Sequence, residues 1–447
     1  MAARVQGVLR ELRGYPRQFW ILVGGTFIYV GAAALGFPYE GIYLRRQLHV
    51  SMSWIGVVYG AVPIAMTPLQ VWGGALTDRF GRRTMLILSA SVSVAWFVGF
   101  AFARSLWQVA VLVAIETAFG WPLFQTASGA MIADLLPREL RAEAFSISRV
   151  AMNAGVVVGP AVGALVLGLG VSFRDLFLLA ALGCMLFMLI TVWGVRETIP
   201  QTALSDDVPE RHRSEGAAVT AAPAAHVPSP IAGTEAVATR PRRGYGIVLA
   251  DRRFLVFCIV ALLPVFCFGT FTVTFSVFIT TDLGVPYSTW GLLLALNAFI
   301  VAGVQYPLVR ALRTADHLVL LAAASALIGL GLGLSAFVGP RWLLVILVVA
   351  LSFGEMLLSP IAASVVSDMA PEAVRGRYMG VWTVIWSGGQ SLGLLVTGLA
   401  VDAVGGRGTF GMVLVAGLAG AALFLVVRGA ERRAGRRGRP GAGRPAH

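Results

Sequence analysis

Charged residues are scarce in this chain. They make up 13% of its 447 residues, while 57% are hydrophobic, and the mean hydropathy is +0.80. A soluble globular protein does not have this balance. Cysteine is nearly absent: Cys184, Cys258 and Cys267 all fall inside apolar stretches, where a thiol is a small core residue rather than a redox or metal site. The sequence has no metal-spaced His/Cys cluster, no GxSxG and no P-loop, and its five histidines (His49, His212, His226, His317, His447) fall in loops or tails. These absences argue against an enzyme, a bound metal, a cofactor and direct use of ATP. Lysine is missing altogether, so all 35 basic residues are arginine. That is a bias of composition and says nothing of mechanism.

What the chain has instead is long apolar runs. Twelve occur, near 19–44, 54–77, 84–103, 106–132, 143–169, 175–195, 254–280, 289–309, 318–338, 342–366, 378–401 and 410–427. Each is about as long as a helix needs to cross roughly 30 Å of hydrocarbon. None alternates with period two, as the strands of a membrane barrel do, which leaves an all-α membrane protein of twelve transmembrane helices. The first run is too long for a signal peptide and lacks a small-residue cleavage pattern, so it is expected to stay in the mature protein. The net charge is +13. With a cytoplasmic amino terminus, 29 arginines face the cytoplasm and six (Arg45, Arg46, Arg104, Arg174, Arg341, Arg407) face away. This positive-inside asymmetry predicts a multi-pass protein of a bacterial inner membrane with both termini cytoplasmic. The arginines from Arg428 to Arg444 read as orientation determinants beside an anionic leaflet, not as a nucleic-acid-binding arm. The expected partners are the lipid bilayer and a small-molecule substrate, and the expected unit is a monomer.

Residues 196–252 form the only long polar stretch and are predicted to be a flexible cytoplasmic linker. It divides a six-helix bundle at 1–195 from another at 253–428, with a basic cytoplasmic tail at 429–447. The halves repeat each other. Asp134, Pro137 and Arg141 recur as Asp368, Pro371 and Arg375, each 234 residues later, and the same offset carries Gly155 to Gly389 and Gly159 to Gly393. A duplicated six-helix unit places a substrate site near the bilayer midplane, between the repeats.

Between the second and third runs stands Gly74-Ala-Leu-Thr-Asp78-Arg79-Phe-Gly81-Arg82-Arg83. So short a connection reverses two helices at the membrane surface. Gly81 supplies the turn, the arginines stay among the headgroups, and Asp78 is an ionised carboxylate free to bond a helix amino terminus or an arginine. Every position fits G-x-L-x-D-R-x-G-R-R/K, and the segment resembles the signature loop of the major facilitator superfamily. With the repeat and the twelve runs, the resemblance covers essentially the whole chain. It implies two pseudo-symmetric six-helix bundles and an Asp that latches the halves when the transporter opens outward, here Asp78 against the start of the eleventh run at 376–380. Asp134, at the end of the fourth run, is the expected partner of Arg82. The alternative is a loop that only sets orientation. The counterpart loop at 308–313 keeps arginines but has no Asp, so the latch is one-sided.

In the fifth run, Gly155-Val-Val-Val-Gly159-Pro160-Ala-Val-Gly163-Ala164 resembles the G-x-x-x-G-P-x-x-G-G pattern of the family's antiporters, which implies export. Small residues at this spacing let helices approach closely, and Pro160 bends the helix. Ala164 replaces the last Gly, Ser146 stands where the full pattern has a more distant upstream Gly, and the second half has Leu394 where the Pro would be. Close packing in an importer or uniporter is the alternative.

Ionisable groups inside a span are functional candidates, because a buried carboxyl can take a proton from one side and release it to the other. Glu116 and Glu355 lie roughly 15–20 Å deep at 1.5 Å per residue, and Glu40 lies in the outer third of the first run. For Glu355 a structural hydrogen bond is the alternative, and for Glu40 solvation at the interface is the favoured expectation. Many drug-proton antiporters of the family carry R-x-x-x-G where this chain has Glu116-Thr-Ala-Phe-Gly120, so arginine-based coupling cannot be transferred. Arg149, in Arg149-Val-Ala-Met-Asn153-Ala-Gly155, either pairs with a carboxylate or snorkels to the surface. Trp121, Phe124, Gln125, Asn153, Asn297, Trp382, Trp386 and Gln390 are candidates to line a substrate cavity, with helix packing as the alternative. The expected function is secondary transport, as proton-gradient-driven efflux of small, largely apolar or cationic compounds. The alternatives are a proton symporter importing a sugar or metabolite, and a membrane sensor without transport.

Overall fold

Hydrocarbon cannot hydrogen-bond a peptide group, so an apolar chain satisfies its backbone internally. The computed structural model describes residues 14–71, 73–198, 245–337 and 342–437, and among these there is no β-strand. Among the described residues, ten helices are long and apolar enough to cross a membrane. They are α1 (Arg17–Arg46), α3 (Arg82–Phe102), α4 (Leu106–Leu135), α5 (Arg138–Gly168), α6 (Phe173–Gly194), α7 (Arg252–Thr281), α8 (Tyr287–Ala311), α9 (His317–Phe337), α10 (Leu343–Met369) and a longer one from Arg375. That last helix is two crossings. It extends to Arg437 but breaks at Gly405 (φ 77°, ψ 166°), which separates α11 (375–404) from α12 (406–437). The second crossing, α2 (52–80), is assembled from the helical pieces Met52–Gly56, Val57–Ala61, Val62–Val71 and Gly73–Phe80, the second of them a π turn. All twelve expected crossings are therefore present.

Two expected boundaries move. The linker lies mostly outside the described residues, but Glu197 is tied to α3 and Gly246–Leu249 forms a helical turn before α7. The tail does not begin at 429, because α12 continues to Arg437. Ion pairs secure that extension: Arg428 Nε lies 2.6 Å and Arg432 Nη2 3.2 Å from Asp316, and Arg253 Nε lies 2.8 Å from Glu431. The Arg428 guanidinium holds the Asp316 carboxyl below the usual carboxylate range.

The sequence repeat reappears as a repeat of packing. A Cβ on Gly155 would come within 2.9 Å of Gly31 N and Phe27 O, so α5 lies backbone to backbone against α1. Gly389 and Gly393 of α11 hold the same relation to Val265 and Phe266 of α7. The adjoining faces of α5 and α11 reach the opposite half. Pro160 and Ala164 meet Gly291 of α8, while Leu394 and Gly398, at the same offset, meet Gly56 of α2.

We call the side on which α1 begins and α12 ends the terminal face and the other the distal face. The halves seal at the distal face. Arg46 donates to Thr280 O (2.9 Å), Trp290 Nε1 donates to Pro38 O (3.1 Å), and Met52 N and Ser53 N donate to the Asp402 carboxylate (3.3 and 2.7 Å). Toward the terminal face the halves diverge. On α8, Gly291 is tightly enclosed whereas Gly303 meets nothing within 4 Å; on α11, Gly398 is enclosed whereas Gly388 and Gly376 meet nothing within 4 Å. The protein is thus open to the terminal side.

This packing separates two kinds of glycine. Gly159→Leu strikes a seam inside one half and should destabilise the protein by about 1–3 kcal/mol, read as a fall in thermal stability. Gly60→Leu strikes the seam with Ser391 and Leu395 of α11 and should leave each half folded while making distal thiol probes more accessible. Equal effects of the two substitutions on stability and accessibility would contradict the assignment.

Candidate functional site

Among the described residues, three carboxyl groups lie well away from the ends of the spans. In α1 a short 3-10 turn, Phe37–Tyr39, interrupts the helix at Pro38 and delivers Glu40. Glu40 is fully buried (0% exposed) and accepts hydrogen bonds from Tyr59 Oη (2.7 Å) and Trp96 Nε1 (2.6 Å). Interfacial solvation is therefore not its environment in this state, because Tyr59 of α2 and Trp96 of α3 hold it out of water. Glu116 sits at a break in α4 that Gly120 creates (φ −87°, ψ −107°). Its carboxyl lies so close to Gly120 that a Cβ there would collide with it. It accepts from Ser93 Oγ (3.1 and 3.3 Å) and from the Trp121 N–H that begins the second helical segment, and Ser93 Oγ is 2.7 Å from Tyr29 Oη. Glu355 of α10 accepts from Asn297 Nδ2 of α8 (3.1 Å), which also donates to Ser352 (2.9 Å). Glu116 and Glu355 are half-buried.

No arginine forms an ion pair with any of the three among the described residues; the five ion pairs found there all lie near the terminal face. Arg149 is exposed and has no carboxylate partner among those residues. Arg149, Asn153, Val156, Pro160 and Ala164 follow at steps of three or four, one face of α5. Since Pro160 and Ala164 meet α8, Arg149 and Asn153 lie on the inter-half face where the halves have parted.

The remaining cavity candidates divide. Trp121, Gln125, Asn153, Trp386 and Gln390 keep exposed surface. Phe124 (1% exposed) belongs to the core of the first half, 4.5 Å from the Tyr29 ring and 5.7 Å from Phe187. Trp382 (5% exposed) stands 5.9 Å from Phe257 in the second. Each packs inside its own bundle rather than toward a cavity between the halves. Asn297 is committed to Glu355 and Ser352.

At the terminal face, Gly74 is within the last helical piece of α2 and Gly81 adopts φ 95°, with space for a Cβ taken by the Glu197 carboxylate. Arg82 reaches both Asp78 (3.2 Å) and Asp134 (3.0 Å); Arg83 donates to Val192 O (2.6 Å), and Arg79 lies 5.4 Å above the Phe80 ring. Asp78 is 70% exposed and, among the described residues, forms its one ion pair with Arg82 rather than with α11. Sequence reasoning missed Glu197. Its carboxylate accepts from Arg82 N (3.0 Å) and Arg83 N (3.1 Å) and so caps α3, from 115 residues away along the chain, beyond any local capping pattern.

Residues 21–340 and 311–447 match the family model described as Major Facilitator Superfamily. The chain belongs to that superfamily. Among similar proteins of this superfamily, a Na(+), Li(+), K(+)/H(+) antiporter of Planococcus maritimus is 26% identical over 401 residues, covering 86% of this chain and 89% of its own. The multidrug resistance protein MdtH of Citrobacter koseri is 23% identical over 396 residues, covering 88% and 87%. A crystal structure of the nucleoside transporter NupG superposes with a TM-score of 0.73 at 12% identity, covering 92% of this chain and 99% of that one, a likeness of fold alone. As a major facilitator transporter the protein stands with its terminal face open and its signature-loop Asp78 exposed.

The loop geometry separates a structural acid from an exposed one. Glu197→Ala should lower stability by about 1 kcal/mol, the loss of a helix cap. Asp78→Asn should change it by less than about 0.5 kcal/mol, as for an exposed pair. Thermal denaturation in detergent reads both, and a larger loss at Asp78 would contradict the geometry.

Proposed function

We propose that this transporter exchanges protons for small cationic or largely apolar molecules and works in the direction of export. The carrying observation is that Glu40, Glu116 and Glu355 are held by hydroxyl, amide and indole donors and by no cation among the described residues. A carboxyl in such a place is neutral when protonated and attracts a cation when not, so proton and cationic substrate compete for it. Glu116 and Glu355, half-buried in the two halves, are the exchange sites on this reading. Asn153, Arg149, Trp121, Gln125, Trp386 and Gln390 line the cavity around them. Two relatives, a Na(+), Li(+), K(+)/H(+) antiporter and a multidrug resistance protein, support the same class of cargo. The Arg asymmetry makes the terminal face cytoplasmic, so the open state is the one that loads substrate from the cell.

Proteoliposomes with an imposed pH gradient test this. Gradient-driven flux is measured with a lipophilic cationic dye and, separately, with sodium or potassium. Wild-type protein should move at least one of these against protons. Glu116→Gln or Glu355→Gln should reduce that flux to the level of empty vesicles. Undiminished flux in both variants would refute the assignment of the carboxyls.

A further inference from the structure

Glu355 stands in a different chemical setting from the other two acids. Gly354 presses α10 onto α9, where a Cβ would come within 2.7 Å of Ile328 and 2.9 Å of Ala324 O. That contact sets the rotation of α10 and leaves Ser352, Glu355 and Ser359, at steps of three and four, along another face. Ser352 and Glu355 both meet Asn297 of α8. Ser352 is fully buried and Asn297 is 8% exposed, whereas Glu355 is half-buried and Ser359, one turn nearer the terminal face, is exposed.

The hydrogen bonds fix which atoms face inward. The Ser352 hydroxyl donates to Val348 O (2.8 Å), so toward Asn297 it can offer only a lone pair. Glu355 Oε2 likewise accepts from Asn297. Two oxygen lone pairs therefore converge on a single nitrogen, at 2.9 and 3.1 Å, and the amide satisfies them with its N–H groups. Turning that amide over puts Oδ1 in place of the nitrogen. The cluster then presents a carboxylate, a hydroxyl oxygen and an amide oxygen, all hard donors, and carries a single negative charge.

We propose that Glu355, Ser352 and Asn297 form a binding site for a partly dehydrated alkali-metal cation, which enters from the open terminal side past Ser359. The inference rests on the exchange reading above and names the cargo that Glu355 takes. Hard cations are held by oxygen ligands. A divalent ion would need more negative charge than one carboxylate supplies, and among the described residues no three His, Cys, Asp or Glu side chains converge. An organic cation would be better served by aromatic faces. The positions one turn from Glu355 and Asn297 include Leu351, Leu358, Leu293, Leu294, Ile300 and Val301, all aliphatic, whereas Glu116 has the indole of Trp121, 36% exposed, beside it. Loading is an exchange at one oxygen pair. The acid's O–H bond breaks, its proton passes to water on the terminal side, and the ion takes its place while the Asn297 amide turns its oxygen inward. The site is neutral before and after, so neither form leaves an uncompensated charge inside the span.

Binding is measured in detergent, without a gradient, by titrating potassium, sodium or lithium chloride into the full-length protein against choline chloride at equal ionic strength. At least one alkali ion should bind saturably. Each ion bound should release a proton to the medium, and affinity should fall as pH falls, because the ligand must be deprotonated. Glu355→Gln should abolish saturable binding, and Ser352→Ala and Asn297→Ala should each weaken it about tenfold, the loss of one charge-assisted contact. Glu116→Gln should still bind the ion, although its flux is lost. No saturable alkali-ion binding in wild type, wild-type affinity in Glu355→Gln, or equal loss in Glu116→Gln would overturn the proposal. Should Glu355→Gln fail to fold, wild-type affinity in both Ser352→Ala and Asn297→Ala overturns it equally. Competitive displacement of the ion by tetraphenylphosphonium does so too, since it would make Glu355 a site for cations in general. The two readings fail separately. Proton-driven dye flux without alkali-ion binding removes the site and leaves the exchange reading standing, whereas ion binding that releases protons but supports no gradient-driven flux does the reverse.

Discussion

Helices in hydrocarbon gain nothing by burying apolar side chains against each other, because lipid serves them equally well; close backbone contact is what decides where they stay together. In this transporter such contact is made wherever side chains are missing. The glycines of α5 and α11 hold each bundle to its own first helix, and the adjoining Pro160, Ala164, Leu394 and Gly398 bring the bundles together at the distal face. A seam of small residues forms and parts without exposing a large apolar surface, and this makes it suitable as a gate. The polar groups beside the closed seam, Glu40 among them, are kept from water.

Charge is distributed by the same rule. The ion pairs found among the described residues, such as Arg428 with Asp316 or Arg82 with Asp134, sit near the terminal face, where water and headgroups reduce the cost of a charge. They extend α12 and tie the signature loop to α4, but their partial exposure limits what each adds to stability. Acids inside the spans have neutral partners instead. Neutral partners leave a carboxyl free to gain or lose a proton, whereas an arginine would hold it ionised. Exposed Arg149, on the inter-half face of α5, leaves that freedom intact.

The number of crossings, the duplication and the signature loop were legible because each is written in consecutive residues or at a fixed offset. The direction in which a side chain points was not. Runs that are apolar all round give no periodicity from which to choose a face, so Phe124 and Trp382, expected to line a cavity, turn out to pack inside their own bundles. The burial of Glu40 depends on Tyr59, Trp96 and the distal seam, which come from three other helices. Glu197 caps a helix that begins far back along the chain. The Asp402 carboxylate likewise binds the start of α2 from 350 residues away. Local propensity contains none of these relations; they exist only once the bundles have assembled.

The duplication also shows where the two halves have parted ways. At the offset that preserves Gly155 and Gly159 as Gly389 and Gly393, Glu40 corresponds to Thr274, Glu116 to Ala350, and Glu355 to Trp121. None of the three acids has kept a counterpart. Thr274 has its own bond to Thr397, which ties α7 to α11 inside one half, where Glu40 stands beside the seam between halves. The residues that let helices approach are shared by both copies, since rocking needs two matching surfaces. The ionisable groups are not shared, which fits the proposed exchange, because a proton taken up on one side and released on the other would have to meet different surroundings along the way. Symmetry in the packing and asymmetry in the carboxyls are therefore what the proposed exchanger, built from a duplicated bundle, would require.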